Sequence, residues 1–532
     1  RQLPLLIWQD SFDRIGFSPV MEAHPVGDDE NRPQKAIPAA VKGMIVDTLG
    51  GRIQVSWDPE SSATPFGQLV FFAEFLEVSG LFDAWVEECP LIYNSPNAPK
   101  KRDVLGTWNL SILAGHRRYA HVTALRSDGV SPQILGMSKI VSEDALRRAL
   151  GKIPEAEGSE WMRKHLFKSV AAACHTPWIL DIDTTIKTLF GHQEGAEVGY
   201  NPHKPGRPSH AYHAYWVGNL RLLLDVEVTA GNTTASNHAQ PGLNRVLDAL
   251  SAEQRPYLVR GDCGFGNDAV IREMEARQQS YLFKLRQSPR VKRLLQREFT
   301  RRDWADAGQG WEGREDRIQL AGWQQSRRVI ILRRLLKQNL IATQEQQGQL
   351  EFAFVDRRQT KVYEYAVLVT DLTESILGIA QLYRDRADAE NGFDELKNQW
   401  GWGGYSTRDL ARCRLSARAV GLIYNWWSWY TRLAFPESRR EAITSRPLLL
   451  SAIGRSTKHA GQTQLYLTPM HAAQKKVERG IENIRRGLQT IRMTAERLLG
   501  HQPWDLLVRY IVAQITQSPW LPDGAIPALA GP

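Results

Sequence analysis

The pattern of apolar and polar positions changes character several times along the chain. From Phe66, the stretch FGQLVFFAEFLEVSGLFDAWVEEC repeats apolar residues at helical spacing. SEDALRRAL follows with Ser142 and Asp144 where a helix needs its cap, so residues 66–170 are predicted as a helical, DNA-binding N-terminal domain. The texture then shortens into β-rich runs, HTPWILDIDTTIKTLFG, AYHAYWVGNLRLLLDVEVTAG, RPYLVRGDCGFG and SYLFKLR. Helical patterns (NHAQPGLNRVLDALSAEQ, NDAVIREMEARQQ) alternate with the later runs. Strands in succession, then helix, strand, helix, strand, predict a mixed sheet with helices packed on it over 171–287. RVIILRRLL and EFAFVDRRQ make 288–360 a β-rich insertion, after which YEYAVLVTDL returns to the main sheet and opens a second part, 361–435. ARCRLSARAVGLIYNWWSWYTRLAF reads as a core helix, and 436–532 as a helical C-terminal region. There Val477, Ile481, Ile484, Leu488, Ile491, Ala495 and Leu498 alternate steps of four and three, a heptad stripe that packs on its own domain, on a second copy or along DNA. Residues 1–65 read as an arm or small module, with GRIQVSW strand-like.

One polar line stands out against this background. In LYRDRADAENGFDELKNQW, Tyr383, Arg386, Glu390 and Lys397 follow the spacing Y-x2-R-x3-E-x6-K. On one helix from Leu382 to Trp400 they fall within an arc of about 60°. Ile379, Leu382, Ala389, Phe393, Leu396 and Trp400 form an apolar stripe beside it. The polar line then borders the buried face and is reachable from a cleft. Arg384, Asp385, Asp388 and Asp394 fit an ordinary salt-bridged surface helix.

Charge narrows the partners. The 532 residues carry a formal net charge of +9, with 17 Trp and 15 Tyr. Arg286–Lys337 alone holds 14 Arg or Lys against 6 Asp or Glu, with Trp304, Trp311 and Trp323 interspersed. Basic side chains for phosphates and rings for bases point to nucleic acid. Four scattered cysteines without a C-x-x-C pair argue against a structural zinc site and a disulfide framework, and fit a reducing compartment.

Two further acidic positions follow apolar runs. In WILDIDTT, Asp181 and Asp183 point to one face under period 2, and in YLVRGDCGFG, Asp262 enters a glycine-rich loop. Gly261, Gly264 and Gly266 keep bulk away from that carboxylate. No Walker lysine follows, which excludes a P-loop. Carboxylates on two strands plus Glu390 on a later helix make an all-oxygen donor set suited to Mg²⁺. Two such ions can clamp an in-line phosphoryl displacement.

The order DIDTT, GDCGFGND, Y-x2-R-x3-E-x6-K resembles the DDE transposases of bacterial insertion sequences, in the branch with the YREK signature. YNPHKPGRPSH, SYLFKLR and LYRDRADAENGFDELKNQWGWGG are similar to insertion-sequence family thirteen-eighty, a likeness running from about 65 to about 500. The resemblance implies an α/β, ribonuclease-H-like core interrupted by a β-rich insertion and flanked by helical N- and C-terminal domains. It implies Asp183, Asp262 and Glu390 as catalytic and metal-binding residues, with Asp181 in reserve for the first. Two Mg²⁺ ions, replaceable by Mn²⁺, would occupy each site. Tyr383, Arg386 and Lys397 would contact the transposon end, Lys204 and Arg207 would meet phosphates, and Trp304, Trp311 or Trp323 would stack on a displaced base. His203, His210 and His213 leave zinc as a weaker reading. The implied partners are double-stranded DNA, as terminal inverted repeats and target, and a second copy of the chain, in a bacterial cytoplasm. A ribonuclease-H-like nuclease without strand transfer, or a domesticated DNA-binding protein, are the alternatives.

Overall fold

The structure is a computed structural model that describes residues 43–57, 62–202, 204–336, 354–356, 361–469, 472–497 and 502–520. His203 and most of EFAFVDRRQ lie outside these residues. The chain divides into two compact units, Arg1–Glu60 and Ser61–Pro532. The first holds an antiparallel hairpin, β1 (Met44–Thr48) and β2 (Gly51–Val55), where GRIQVSW predicts a strand.

The second unit begins with a short strand, β3 (Ser62–Thr64), and then turns helical. Helices α1 (Leu69–Ser79), α2 (Leu81–Glu87), α3 (Lys101–Leu113), α4 (Glu143–Leu150) and α5 (Glu155–Lys168) follow, with shorter turns between them. Gly80 separates α1 from α2 at φ 65°, a left-handed conformation that glycine adopts without penalty. Ser142 caps α4 as its position predicts, accepting from Ala145 N at 3.3 Å.

The large sheet starts with β4 (Ile179–Thr188), β5 (Glu197–Val198), β6 (Pro208–Val217) and β7 (Leu222–Ala230). α6 (Ala235–Asp248) leads to β8 (Leu258–Gly261), and α7 (Asp268–Ala276) to β9 (Tyr281–Lys284). β7, β6 and β4 pair antiparallel in that order, and β4, β8 and β9 pair parallel. α8 (Pro289–Phe299) then precedes β10 (Ala305–Gly308), β11 (Trp311–Ile318), β12 (Arg327–Leu335), β13 (Phe354–Asp356) and β14 (Lys361–Thr370). β14 pairs with β9 through Leu368–Lys284 and also carries β12, so β10 to β14 continue the same sheet.

Alternation along β4 sorts its side chains. Leu180 and Ile182 join the main core with Val259 and Phe283. Ile179 faces a smaller cluster with Leu258, Leu282, Leu368 and, from the next helix, Ile379 and Ala380. Asp181 and Asp183 share the parity of Ile179 and turn to that same face.

The segment predicted as one helix from Leu382 to Trp400 is two. α9 (Ile376–Arg384) and α10 (Ala387–Asn398) meet at Asp385–Arg386. There Arg386 N donates to Tyr383 O and Ala389 N to Arg386 O, three-residue steps that tighten the turn and swing Arg386 inward. Ile379, Ala389, Phe393, Leu396 and Trp400 are buried as the apolar stripe predicts, and Leu382 is partly so.

α11 (Leu410–Ala434), capped by Asp409, runs through the core with Trp426, Trp427 and Trp429 essentially inaccessible. After α12 (Ala442–Leu449), the stretch expected to be helical contains a hairpin, β15 (Gly454–His459) and β16 (Gln462–Leu467), paired with β3. Ala460 and Gly461 both have positive φ, 50° and 77°, the two-residue geometry that fits a hairpin's twist. α13 (Gln474–Arg497) carries the heptad stripe, and Val477, Ile484, Leu488 and Ile491 are buried in the protein's own core beside α14 (Pro503–Thr516). Leu498 lies outside the described residues. The stripe is therefore used within the chain, which removes it as the seam of a dimer. Among the described residues no helix is long and apolar enough to cross a membrane.

Candidate active site

Register brings the first two acids together. Parallel pairing sets Ile182 of β4 beside Gly261 of β8, so the next residues, Asp183 and Asp262, emerge side by side. Gly261 is small because a Cβ there would lie 2.9 Å from both Ile182 and Phe265. Gly264 N donates to Asp262 Oδ1 at 2.9 Å and turns the loop around the carboxylate. Glu390, exposed in the first turn of α10, faces the same cleft. Asp183, Asp262 and Glu390 line one cavity of about 640 Å³, together with Tyr383, Arg386 and Lys397.

The electrostatics of this cleft centre on Asp183. Thr184 N donates to its Oδ1 and Arg386 Nη2 to its Oδ2, both at 2.7 Å. Burial pushes the Asp183 carboxyl up to about 6; Asp262 and Glu390 push the same way, and Arg386 opposes them. Burial works against the Arg386 charge, yet Asp183, Tyr383 and Asp262 hold its pKa above the ordinary value. Burial raises the Tyr383 hydroxyl and lowers the Lys397 ammonium. Lys397 Nζ donates to Thr185 Oγ1, which ties α10 to β4.

Asp181 has a different job. Arg260 holds both of its oxygens, with Nη2 to Oδ2 at 2.9 Å, and the same guanidinium donates to Leu382 O. Both partners are 2% exposed, so this pair ties β4 and β8 to α9 and does not open on the cleft.

Divalent cations fit the donor set chemically, since three carboxylates face one polar cavity. Among the described residues, however, no three His, Cys, Asp or Glu are gathered closely enough to hold an ion. One oxygen of Asp183 belongs to Arg386 in this state. Among the described residues the histidines give no zinc centre either. His210 Nε2 lies 2.8 Å from Glu194 O, and His213 sits between Thr184 and Thr229 with its ring stacked on His238.

The remaining predicted contacts are dispersed. Lys204 and Arg207 are exposed and hold their cations over Phe190, 4.8 and 5.7 Å from its ring centre, away from the cavity lining. Trp323 is only 7% exposed, under Arg327, and is corrected from stacking platform to core residue of the insertion. Trp304 and Trp311 are half-buried, covered by Arg333 at 4.0 Å and Arg334 at 4.9 Å. Sequence reasoning missed Tyr200, Cys263, Lys284 and Asp394, all of which line the cavity. Tyr200 lies at the start of YNPHKPGRPSH and Cys263 inside GDCGFG, so proximity to those motifs was the available signal.

No curated protein matches the chain significantly. A solved structure, the cryo-EM structure of a piggyBac transposase synaptic complex with hairpin DNA, aligns over 88% of this chain and 89% of that one. Its identity is 12% and its TM-score 0.34, a likeness too loose to carry an inference. Residues 94–489, which include the three acids and the Y-x2-R-x3-E-x6-K line, match the family described as transposase DDE domain group 1. That span is most of the protein, and the chain is a DDE transposase belonging to this family.

Proposed function

We propose that the protein is a cut-and-paste transposase of the YREK branch, with Asp183, Asp262 and Glu390 as its acidic triad. What supports the reading is the convergence of these acids, from two adjacent strands and one helix, on a single cleft bordered by Arg386 and Lys397. The strand order β7-β6-β4-β8-β9, antiparallel on one side of β4 and parallel on the other, is the basis for reading the core as ribonuclease-H-like.

Asp183, Asp262 and Glu390 are the residues that would hold Mg²⁺ or Mn²⁺, two ions per site. Bound there, such ions would supply an activated water and stabilise the leaving oxygen. The chain's own contribution is placement and charge. Arg386 and Lys397 present cations to the phosphates of the transposon end, and Tyr383 presents a hydroxyl that burial keeps protonated. Water cuts the phosphodiester at the end. The freed 3′-hydroxyl, held by the same side chains, then attacks a phosphorus of the opposite strand to give a hairpin, or of target DNA, and the attacked strand's P–O3′ bond breaks to leave its own 3′-hydroxyl.

Arg386 has two partners in this scheme. Without DNA it neutralises Asp183; with DNA it turns to a backbone phosphate and releases that carboxylate for cations. Two ends must be held together, so a second copy remains part of the proposal. Its interface is not the α13 stripe.

A strand-transfer assay with a 3′-hydroxyl donor end, Mg²⁺ and supercoiled target tests the reading. Joined product supports it. Cleavage without joining points to a nuclease, and end binding without cleavage to a domesticated DNA-binding protein.

A further inference from the structure

We propose that a second cavity, of about 480 Å³ behind α10, is a binding site for a phosphate group. It shares no lining residue with the acidic cleft and does not rest on the cleavage reading.

Arg432, near the end of α11, is the reason. It is 7% exposed, and its Nη1 and Nη2 donate only to the backbone oxygens of Ser428 and Leu220. Among the described residues no carboxylate pairs with it. Burial, with help from Arg439 and Arg221, pushes its pKa down to about 10, against the opposing pull of Tyr424 and the Glu395 carboxylate. An enclosed guanidinium with no carboxylate in direct contact is costly, and both neighbouring cations raise that cost.

Arg221 and Arg439 line the same cavity. Arg221 reaches Asp388 and lies 3.5 Å from Glu441, and Arg439 reaches Glu395 and lies 3.8 Å from Glu441, while the buried Nε of Arg439 has no hydrogen-bond partner among the described residues. Thr516 and Ser518 add two hydroxyls, 3.0 Å apart. Three guanidinium groups and two hydroxyls line the cavity with one half-exposed carboxylate, Asp388, while Glu395 and Glu441 pair with two of the guanidiniums from outside the lining, an arrangement that suits an oxyanion with several acceptor oxygens. The volume exceeds a bare phosphate and admits a nucleotide or a stretch of DNA backbone. An occupant would also compete for Arg221 with Asp388, which lies two residues before Glu390 on α10.

Titration calorimetry of the full chain with inorganic phosphate in chloride buffer tests the site. The expected result is saturable binding, weakened at least about tenfold, or 1.4 kcal/mol, by Arg221→Gln and by Arg432→Met. Circular dichroism checks that each variant folds, and the rim variant Arg221→Gln keeps the test informative if Arg432→Met does not. Glu390→Gln should bind phosphate normally, so failure here is separable from failure of the cleavage reading. Competition between phosphate and a short DNA duplex would identify the backbone as the source, and independence of the two would identify a free anion. Absence of saturable phosphate binding, or binding unchanged in the folded variants, overturns the proposal.

Discussion

Arg386 and Asp183 form a buried ion pair, Nη2 to Oδ2 at 2.7 Å, with side chains 9% and 12% exposed. It joins the α9–α10 turn to the middle of β4, residues that lie 203 positions apart. Removing one partner of such a pair leaves a buried charge uncompensated, typically at a cost of about 3–5 kcal/mol.

Arg386→Ala should therefore lose stability of that order in urea unfolding, while Arg386→Ala with Asp183→Asn should recover a large part of it. Equal instability of the single and double variants would show that the pair is not what holds this turn.

The two aspartates of DIDTT should separate cleanly. Asp181→Asn breaks the Arg260 pair and should destabilise the fold by about 3–5 kcal/mol, with cleavage per folded molecule kept. Asp183→Asn should abolish cleavage at any level of folding. Activity assays normalised to folded fraction by circular dichroism distinguish them, and the reverse pattern would move the first acid to Asp181.

Much of this site is legible in the sequence because strand parity and the Y-x2-R-x3-E-x6-K spacing are local facts. Asp183, Asp262 and Glu390 need only the ends of apolar runs and one helix pattern to be singled out. The break at Asp385–Arg386 is not local. A continuous helical pattern crosses it, and the inward turn brings Arg386 onto Asp183, a partner from a distant part of the chain. The role of Asp181 was hidden for the same reason, since its partner Arg260 lies 79 residues away. Heptad spacing in α13 cannot reveal whether the stripe meets its own core or a second copy. The β15–β16 hairpin shows only as Ala460–Gly461 between alternating residues, a weak signal inside a helical region.

Of the three tryptophans in the insertion, Trp323→Ala should cost about 3–5 kcal/mol in stability with little effect on end binding per folded molecule. Trp304→Ala and Trp311→Ala probe stacking. If either ring meets an unpaired base, its loss should weaken binding by about 1–3 kcal/mol in a fluorescence titration with splayed-end DNA. A binding defect confined to Trp323→Ala would contradict this assignment.

Acid should weaken the fold through buried neutral histidines. Burial pushes His165 down to about 4, although Glu88 Oε2 lies 3.0 Å from its Nε2 and pulls the other way. Burial likewise takes His238 to about 4 and, with His238 beside it, His213 to about 3. Unfolded imidazoles bind a proton near pH 6.5 while these do not, so their stabilising effect is present above that pH and is lost as pH falls toward 4. His165→Gln should shrink the loss of stability between pH 7 and pH 5 by on the order of 2 kcal/mol in denaturant titrations. An unchanged pH dependence would place His165 outside this effect.

In the proposed site Glu390, exposed on α10, completes the acidic set begun by Asp183 and Asp262. The most direct measurement compares Glu390→Gln with the unaltered protein on labelled transposon-end DNA in Mg²⁺, scoring binding and cleavage on the same samples. The expected result is end binding within about twofold of normal and cleavage lower by about three orders of magnitude or more. Normal cleavage by Glu390→Gln would remove Glu390 from the acidic set.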